Sequence, residues 1–378
     1  MNICILSSTY HPTIGGAETY IRTLASNLLK RGHNVFVITD KRNNKSHNFE
    51  FIDGVKIYRC DGYLKAIEDE SKVRWEQMYF SLLNDIHEIL QQENVDIVHA
   101  NGFDTSLLGS MIKSSINSKL VVTYHEQSPE KEPLGEGRCK FIFSNPTVDT
   151  FITGSQFYYN KAKKYGGENV ELIYHGVHLP DLSNNSIPLK NKNFIILCPA
   201  RLKERKGIKE FILAINSLRN EIPNIKGVIA GSRNSASNEY AEKLYEMINN
   251  LSLNEIVTID EQIPFDKMSK VYLTADLVVQ PSYAEGLGLS VLEAMAHEKA
   301  VIASSVDGIN EIMNHKINGL AIQPKKYQEI ADAIRYLYEN RKTMQELAIT
   351  GRKTVESKFD IERMVKETES VYKLALQN

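Results

Sequence analysis

Short apolar runs alternate with longer amphipathic stretches along most of the 378-residue chain. Asn2–Ser7, Val35–Thr39 and Lys119–Tyr124 have the length and apolar content of strands, whereas Ala17–Arg31 has helical spacing of its apolar residues and ends at Gly32. Apolar strands separated by amphipathic helices indicate a parallel sheet with helices on both of its faces. The alternation therefore predicts an α/β fold.

One polar stretch interrupts this pattern. Asp181–Asn193 is rich in turn residues, so it is predicted to be a linker, and the alternation restarts at Phe194–Cys198. We therefore predict two Rossmann-like, doubly wound domains, 1–180 and 181–359, facing each other across a cleft. The amphipathic segment 360–378 is expected to pack back on the first domain. Ligands of open parallel sheets bind beyond the carboxyl ends of the strands, so the residues that follow strands are the candidates for function.

Composition excludes several classes of protein. Lys and Arg total 45 and Asp and Glu total 47, so the near-neutral charge argues against a nucleic-acid partner. The four cysteines form no C-x-x-C pair, which predicts no disulfide scaffold, no zinc site and a cytoplasmic location. The amino terminus resembles a strand rather than a signal peptide, and no apolar run is long enough to predict a membrane span.

The pair Gly15-Gly16 lies between the first predicted strand and the first predicted helix. Two glycines allow the backbone to approach a ligand, and the amides that open a helix favour anions. An ordinary loop explains the pair equally well. The chain lacks the G-x-G-x-x-G pattern, which argues against a dehydrogenase that binds NAD.

A basic segment, Arg201 to Gly207, directly follows the strand Phe194–Cys198. A solvated basic loop is the simple explanation. Its place after a strand favours phosphate binding, because arginine offers a fork of donors and Lys206 a compact charge. A diphosphate is the ligand that this pair fits.

Two carboxylates, Glu285 and Glu293, are separated by seven residues that include Gly286 and Gly288. Glu285 is expected to lie exposed on the loop, where it can bind hydroxyls. The amides of Gly288 to Ser290 are expected to point at a phosphate. For Glu293 an alternative stays open, because Ser290-x-x-Glu293 also has the pattern of a helix capping box.

Together with the run Ala275–Ser282, these motifs resemble the retaining glycosyltransferases of family 4, which have the GT-B fold. The resemblance covers essentially the whole chain. It implies that Arg201 and Lys206 hold the donor diphosphate and stabilise it as the leaving group. It also implies that Glu293 binds the ribose hydroxyls of the nucleotide.

The resemblance implies further roles around the transferred sugar. Glu285 and the backbone of Gly286–Leu289 would bind its hydroxyls, and Gly16 would approach the donor phosphates. His125 matches a histidine near the reacting sugar, although a lone histidine is by itself more often structural. The other predicted donor contacts, for several of which ordinary turn chemistry is an equal alternative, are Gly15, Gly231, Arg233, Ile263, Leu287, Leu289 and Ser290.

The implied reaction transfers a sugar from a UDP- or GDP-sugar to a glycan, a lipid-linked molecule or another hydroxyl acceptor, and forms an α-glycosidic bond. No Asp-x-Asp motif is present, so neither a metal nor another cofactor is expected. The basic segment Lys161–Lys164 and the stretch Ser106–Lys119 could support transient attachment to the inner face of the cell membrane. A solvated helix face is the simpler explanation for both.

Other functions compatible with the same motifs stay open. They are a nucleotide-sugar epimerase, a phosphorylase and a non-catalytic subunit that binds nucleotides or glycans. Two segments depart from the family pattern, His175-Gly176-Val177-His178 and Glu298-Lys299-Ala300. Neither includes the predicted phosphate-binding residues or the two glutamates.

Overall fold

The computed structural model describes residues 1–13, 15–41, 48–60, 75–125, 135–183, 193–231, 238–261, 263–264 and 267–377, with backbone alone for 75–82. Its contacts separate two compact units. Unit 1 comprises Met1–His175 and Ile361–Asn378, and unit 2 comprises Gly176–Asp360. Most of the predicted linker lies outside the described residues.

Unit 1 contains an eight-stranded sheet. Its strands are β1 (Asn2–Ser7), β2 (Asn34–Asp40), β3 (Phe49–Ile52), β4 (Val55–Cys60), β5 (Ile97–Asn101), β6 (Lys119–Tyr124), β7 (Thr150–Thr153) and β8 (Val170–Leu172). Their spatial order is β3-β4-β2-β1-β5-β6-β7-β8. Every neighbouring pair is parallel except β3 with β4. The pattern analysis did not predict β3, whose alternately exposed and half-buried residues form an edge.

Six described helices belong to unit 1. They are α1 (Gly16–Lys30), α2 (Trp75–Glu93), α3 (Phe103–Lys113), α4 (Gly135–Phe143), α5 (Gln156–Lys164) and α13 (Ile361–Gln377). α1 buries Tyr20, Leu24 and Leu28, which recur every four residues and therefore share one face. α13 adds Met364, Val365 and Tyr372 to the same core at full burial, so the end of the chain completes unit 1.

Unit 2 contains a six-stranded, wholly parallel sheet. Its strands are β9 (Phe194–Pro199), β10 (Ile225–Ala230), β11 (Val257–Asp260), β12 (Leu277–Gln280), β13 (Ala300–Ser304) and β14 (Leu320–Ile322). Their spatial order is β11-β10-β9-β12-β13-β14. The described helices are α6 (Ile208–Leu218), α7 (Asn238–Asn250), α8 (Met268–Thr274), α9 (Leu289–Ala296), α10 (Ile309–Ile312), α11 (Tyr327–Glu339) and α12 (Arg341–Lys358).

Both sheets reverse their strand order at an inner strand. In unit 1, β1 lies between β2 and β5, and in unit 2, β9 lies between β10 and β12. Helices on either side of such a point diverge and leave a crevice at the carboxyl ends of the two strands. The α/β, doubly wound prediction is therefore confirmed, and the segments after β1, β5, β9 and β12 are where ligands are expected.

The four cysteines are free and buried. In the part of the chain that the structure describes, no helix has both the length and the apolar content that a membrane span requires.

Candidate active site

The loops that follow β9 and β12 meet at the crevice of unit 2. After β9 the chain forms a 3₁₀ turn, Glu204–Lys206, and then passes Gly207 with φ +68°. A Cβ on Gly207 would lie 2.0 Å from the carbonyl oxygen of Pro281, so only glycine permits this approach. The amide of Tyr283 donates to the carbonyl of Arg205 at 2.7 Å, which joins the two loops.

This contact brings Lys206 to Glu285. The ammonium of Lys206 donates to Oε1 of Glu285, and the hydroxyl of Ser282 donates to the same oxygen at 2.7 Å. Nη1 of Arg205 lies 3.9 Å from Oε2 and donates to the carbonyl of Ala284 at 3.2 Å. Two cations from one loop therefore surround one carboxylate of the other.

Glu285 is not exposed as the sequence analysis expected, since only 8% of it is accessible. Burial acts to raise the pKa of its carboxyl, but the charges of Lys206 and Arg205 and the hydrogen bonds from Lys206 and Ser282 outweigh burial, and the net pKa is lowered. The expectation was wrong because spacing did not reveal these partners. The carboxylate stays ionised and ready to accept hydrogen bonds.

Arg201 differs from its neighbours in the basic segment. Its side chain is half-buried and makes no hydrogen bond or ion pair with the described residues. Lys206 and Arg205 already face Glu285, so the guanidinium of Arg201 is the one in this segment that remains available to an anion. The sequence analysis singled out Arg201 and Lys206 but gave Arg205 no role.

Helix α9 begins at the same crevice. Gly288 precedes it with φ +98°, and no side chain caps the first turn. Its first amides therefore lack the side-chain partner that most helices have, and such amides suit an anion. The capping-box explanation of Glu293 is wrong, because the helix begins before Ser290, whose hydroxyl donates instead to Gln280 at 2.8 Å.

Glu293 lies on α9 beside an aromatic cluster. The hydroxyl of Tyr272 donates to its Oε2 at 2.8 Å, and the ring of His297 stacks on Tyr272 with centroids 5.0 Å apart. Burial raises the pKa of the Glu293 carboxyl, which the hydrogen bond from Tyr272 partly offsets. The two glutamates of the motif thus lie in opposite environments, one beside cations and one beside a phenol.

The other predicted donor contacts in unit 2 have different surroundings. Leu287 is buried, so only its backbone could meet a ligand. Gly231 packs against strand β9's end, where a Cβ would lie 2.1 Å from the carbonyl oxygen of Ala200. Ile263 is half-exposed beyond β11. Arg233 lies outside the described residues.

In unit 1, Gly15 and Gly16 open α1 at the end of the loop after β1. Gly15 is the N-cap with an extended backbone, φ −171°, and no side chain caps the helix. Gly16 is exposed. The turn therefore places the amides that open α1 at the carboxyl edge of the sheet, a position that suits an anion and that an ordinary loop also explains.

His125 follows β6 and lies in a cluster of imidazoles. Its Nε2 is 2.5 Å from Oδ1 of Asn101, and its Nδ1 is 3.4 Å from Nε2 of His175. The ring of Tyr20 contacts both imidazoles, with centroids 5.1 Å from His125 and 4.3 Å from His175. An amide oxygen only accepts, so Nε2 of His125 carries its proton and Nδ1 accepts from His175.

A third histidine, His99, lies deeper in the same unit. Its Nε2 is 2.6 Å from Oγ1 of Thr123, and its Nδ1 is 2.5 Å from the hydroxyl of Tyr372 on α13. The sequence analysis missed His99 and gave His175 no role. A usable signal existed, since His99 lies in β5, His125 follows β6 and His175 follows β8, and the carboxyl ends of these parallel strands share one edge of the sheet.

Burial keeps these imidazoles neutral. It lowers the pKa of His99 and of His125 to about 3, with a small further contribution of His125 to His99. It also lowers the pKa of His175 well below the ordinary value, with help from His125 and Arg363. His125 therefore acts as a hydrogen-bonding dipole rather than as a cation.

Among the described residues, no three His, Cys, Asp or Glu side chains group as ligands of a metal ion would.

Two family models match the chain. The model described as Glycosyltransferase Family 4 matches residues 14–180, and the model described as Glycosyl transferases group 1 matches residues 181–354. Their boundary, between residues 180 and 181, lies directly before the polar stretch Asp181–Asn193. The two matches together account for both units.

Curated relatives align over nearly the whole chain. An uncharacterized glycosyltransferase of Methanocaldococcus jannaschii is 26% identical over 100% of this chain and 99% of its own length. The alpha-monoglucosyldiacylglycerol synthase of Streptococcus pneumoniae is 26% identical over 84% of this chain and 74% of its own.

Solved structures share the fold. Sucrose-phosphate synthase from Thermosynechococcus elongatus has a TM-score of 0.81 at 21% identity and covers 98% of each chain. The Anabaena protein HepE, in complex with UDP-glucose, has a TM-score of 0.77 at 20% identity and covers 97% of this chain and 99% of its own. The chain thus belongs to the family 4, group 1 glycosyltransferases, enzymes of the GT-B fold.

Proposed function

We propose that the protein is a retaining glycosyltransferase that moves a sugar from a UDP- or GDP-sugar to a hydroxyl of a glycan or lipid-linked acceptor. Unit 2 binds the donor, and unit 1 presents the acceptor. The anomeric carbon–diphosphate bond breaks, and the acceptor oxygen bonds to the same face of the carbon. The acceptor proton passes to the leaving phosphate, and the product is an α-glycoside.

One observation carries this proposal: the loops after β9 and β12 meet, so that Lys206 and Arg205 flank Glu285 while Arg201 is unpaired among described residues. Cations next to a hydroxyl-binding carboxylate are what a sugar joined to a diphosphate requires. Their place at the reversal of strand order agrees with the general position of ligand sites in such sheets.

Arg201 and Lys206 are proposed to bind the diphosphate, assisted by the open amino terminus of α9. Two unit charges about 4 Å apart at an effective dielectric near 20 interact by about 4 kcal/mol. If this attraction strengthens only as the diphosphate leaves, it contributes about a thousandfold in rate. These residues would then perform what a divalent cation performs in other transferases.

Glu285 and the backbone of Gly286 to Leu289 are proposed to bind the sugar, and Glu293 the ribose. An ionised Glu285 accepts strong hydrogen bonds from hydroxyls. Gly15, Gly16, Gly231, Arg233, Ile263 and Ser290 are proposed as further donor contacts. His125, being neutral, is proposed to orient the sugar without opposing the positive charge that develops on it.

Acceptor and location form the finer part of the proposal. The relative named alpha-monoglucosyldiacylglycerol synthase supports a lipid-linked acceptor. Lys163 and Lys164 are exposed in the last turn of α5, and Phe141 of α4 is 61% exposed. We propose a cytoplasmic enzyme whose lysines touch anionic lipid transiently, since each such residue contributes about 1 kcal/mol. Sedimentation with phosphatidylserine vesicles, compared with phosphatidylcholine vesicles, tests this attachment.

A donor panel tests the function. UDP-, GDP-, ADP- and TDP-sugars are screened by thermal shift, because a ligand that binds the native state raises its melting temperature. Nucleotide release is then measured with and without candidate acceptors. Acceptor-dependent release with a new glycoside supports the transferase, whereas a changed sugar without acceptor identifies an epimerase. Phosphate-dependent release of a sugar phosphate identifies a phosphorylase, and binding without release identifies a non-catalytic subunit.

Metal independence is tested on the same assay. Full activity after treatment with a chelator is expected, because the proposed charge stabilisation comes from Arg201 and Lys206. Loss of activity that is restored by a divalent cation would contradict this part of the proposal.

A further inference from the structure

A chain of buried hydrogen bonds leads to the carboxylate of Glu285. The hydroxyl of Ser290 donates to Oε1 of Gln280 at 2.8 Å, and Nε2 of Gln280 donates to the hydroxyl of Ser282 at 2.7 Å. Ser282 in turn donates to Oε1 of Glu285 at 2.7 Å. The chain joins the first turn of α9, the end of β12 and the loop that carries Glu285.

The chemistry of these groups fixes the direction of every bond. A carboxylate only accepts, so the single proton of Ser282 must point to Glu285. The hydroxyl oxygen of Ser282 then accepts from the amide of Gln280, whose nitrogen only donates. The carbonyl oxygen of Gln280 is left to accept from Ser290. No member can reverse its role without breaking a bond.

Burial keeps this series of hydrogen bonds in place. Gln280 and Ser282 are 0% exposed, and Glu285 is 8% exposed. A buried polar group without a partner is costly, so neither side chain can rotate away without leaving donors unsatisfied. This series of hydrogen-bonded side chains therefore holds one conformation.

The two carboxylate oxygens of Glu285 differ in their hydrogen-bond partners. Lys206 and Ser282 both donate to Oε1. Oε2 accepts no hydrogen bond from the residues that the structure describes, and Nη1 of Arg205 lies 3.9 Å from it. One oxygen is thus held by protein donors, and the other keeps its capacity to accept.

We propose that Ser282 and Gln280 are positioning residues, which fix Oε1 of Glu285 so that Oε2 receives a hydroxyl of the transferred sugar. The inference rests on the proposed role of Glu285 in sugar binding. It adds two residues that do not touch substrate and assigns the substrate contact to one oxygen.

The test uses the full-length protein, the Ser282→Ala variant and a matched control, Ser304→Ala. Ser304 is also 0% exposed and lies at the carboxyl end of the neighbouring strand β13, but its hydroxyl has no hydrogen-bond partner among the described residues. Ser282→Ala is expected to lower kcat/KM about tenfold or more, as loss of a hydrogen bond to a charged group does. Ser304→Ala is expected to change it less than about twofold.

Donor analogues test whether Ser282 acts through Glu285, because a purely structural role would not change the discrimination between donors. The probes are UDP-glucose and its 2-, 3-, 4- and 6-monodeoxy analogues, or the corresponding GDP-mannose set if the panel rejects UDP-glucose. The wild type discriminates against the analogue that lacks the hydroxyl bound by Oε2, and Glu285→Gln loses most of that discrimination. Ser282→Ala is expected to reduce the same ratio at least threefold, or about half a logarithmic unit.

The outcomes separate the two proposals. If Glu285→Gln leaves every ratio at the wild-type value, the proposed role of Glu285 fails. If Glu285→Gln abolishes the discrimination and Ser282→Ala retains it in full, the positioning inference alone is overturned. The melting temperature of every variant is measured to check that it folds. If Ser282→Ala does not fold, Gln280→Met replaces it, because this variant keeps the hydroxyl of Ser282 but removes the amide that donates to it.

Discussion

The ammonium of Lys206 donates to Oε1 of Glu285, and side-chain exposure is only 12% for the lysine and 10% for the glutamate. A buried ion pair contributes little net stability, but breaking it by removing one partner leaves an uncompensated charge. The same pair is proposed to serve both the fold and the reaction. Single and double substitutions can separate these two contributions.

The first prediction concerns Lys206→Ala. Loss of the ammonium leaves Arg205 as the one cation beside Glu285 among the described residues, so the free energy of unfolding is expected to fall by about 3 kcal/mol. Turnover is expected to fall at least about a hundredfold, because the leaving diphosphate loses a cation. Calorimetry and nucleotide release measure the two effects.

The control for this prediction is Lys209→Ala, because Lys209 is an exposed lysine three residues further along the chain. The double variant Lys206→Ala/Glu285→Gln is expected to recover more than half of the lost stability but none of the activity. Unchanged turnover in Lys206→Ala would remove that residue from the mechanism.

The second prediction concerns Gly207→Ala. The residue has φ +68°, and the added Cβ would lie 2.0 Å from the Pro281 carbonyl oxygen, so the two loops must separate. Activity is expected to fall at least about tenfold, because Lys206 and Glu285 move apart. Gly137→Ala is the control, since no described atom outside its own helix turn and chain neighbours lies within 4 Å of its added Cβ, and alanine favours a helix by about 1 kcal/mol. Equal activity in both variants would contradict the proposed contact.

The third prediction concerns Tyr272→Phe, which removes the hydroxyl that donates to Glu293. That hydrogen bond lowers a pKa that burial raises, so its loss raises the pKa of Glu293 further. The glutamate is ionised above its pKa, and protonation weakens its bonds to ribose hydroxyls as the pH falls. The KM for the nucleotide sugar is expected to rise about threefold at pH 7, and more at pH 5, with kcat little changed.

Steady-state kinetics between pH 5 and pH 8 check this prediction. The control is Tyr336→Phe, which changes a tyrosine that is 43% exposed. A fall in kcat at constant KM would contradict the assignment of Glu293 to the nucleotide.

The fourth prediction follows from the neutral histidines of unit 1. The pKa of His99 is about 3 in the folded protein and near 6.5 when unfolded, so below about pH 6.5 only the unfolded chain binds the proton. The contribution of neutral His99 to the free energy of unfolding is therefore fully present above pH 6.5. It is lost as the pH falls towards 3, by up to about 1.4 kcal/mol per pH unit for each such histidine.

Fluorescence of the single tryptophan, Trp75, which lies in unit 1, follows urea unfolding at pH 7 and pH 5. His99→Gln is expected to lose less stability between these pH values than the wild type does. His87→Gln is the control, because His87 bonds to Gln91 at the surface of α2. An identical pH dependence in His99→Gln and the wild type would contradict the prediction.

Local patterns were sufficient to predict much of the fold. β1 and β6 have the bounds expected from their apolar runs, because buried parallel strands need apolar residues on both faces. β3 escaped prediction because its residues alternate between exposed and half-buried positions, so it lacks the continuous apolar run of a buried strand. The family resemblance is confirmed, whereas the roles of individual residues stay predictions.

Contacts between distant residues could not be predicted in this way. Nothing near Glu285 in the sequence indicates that Lys206, 79 positions away, donates a hydrogen bond to its carboxylate. His99 and Tyr372 are separated by 273 positions, and their hydrogen bond depends on where α13 packs. Such partners decide protonation states, so the charge of a site residue follows from the fold rather than from the motif.

The placement of α13 affects how the protein is made. Unit 2 is inserted, in sequence, between the bulk of unit 1 and the helix that fills its core. A ribosome therefore releases Tyr372 only after all of unit 2 has been synthesised. Until then α13 does not cover the apolar face of the nascent first sheet, and Nδ1 of His99 lacks the hydroxyl of Tyr372, while Nε2 keeps its contact with Thr123.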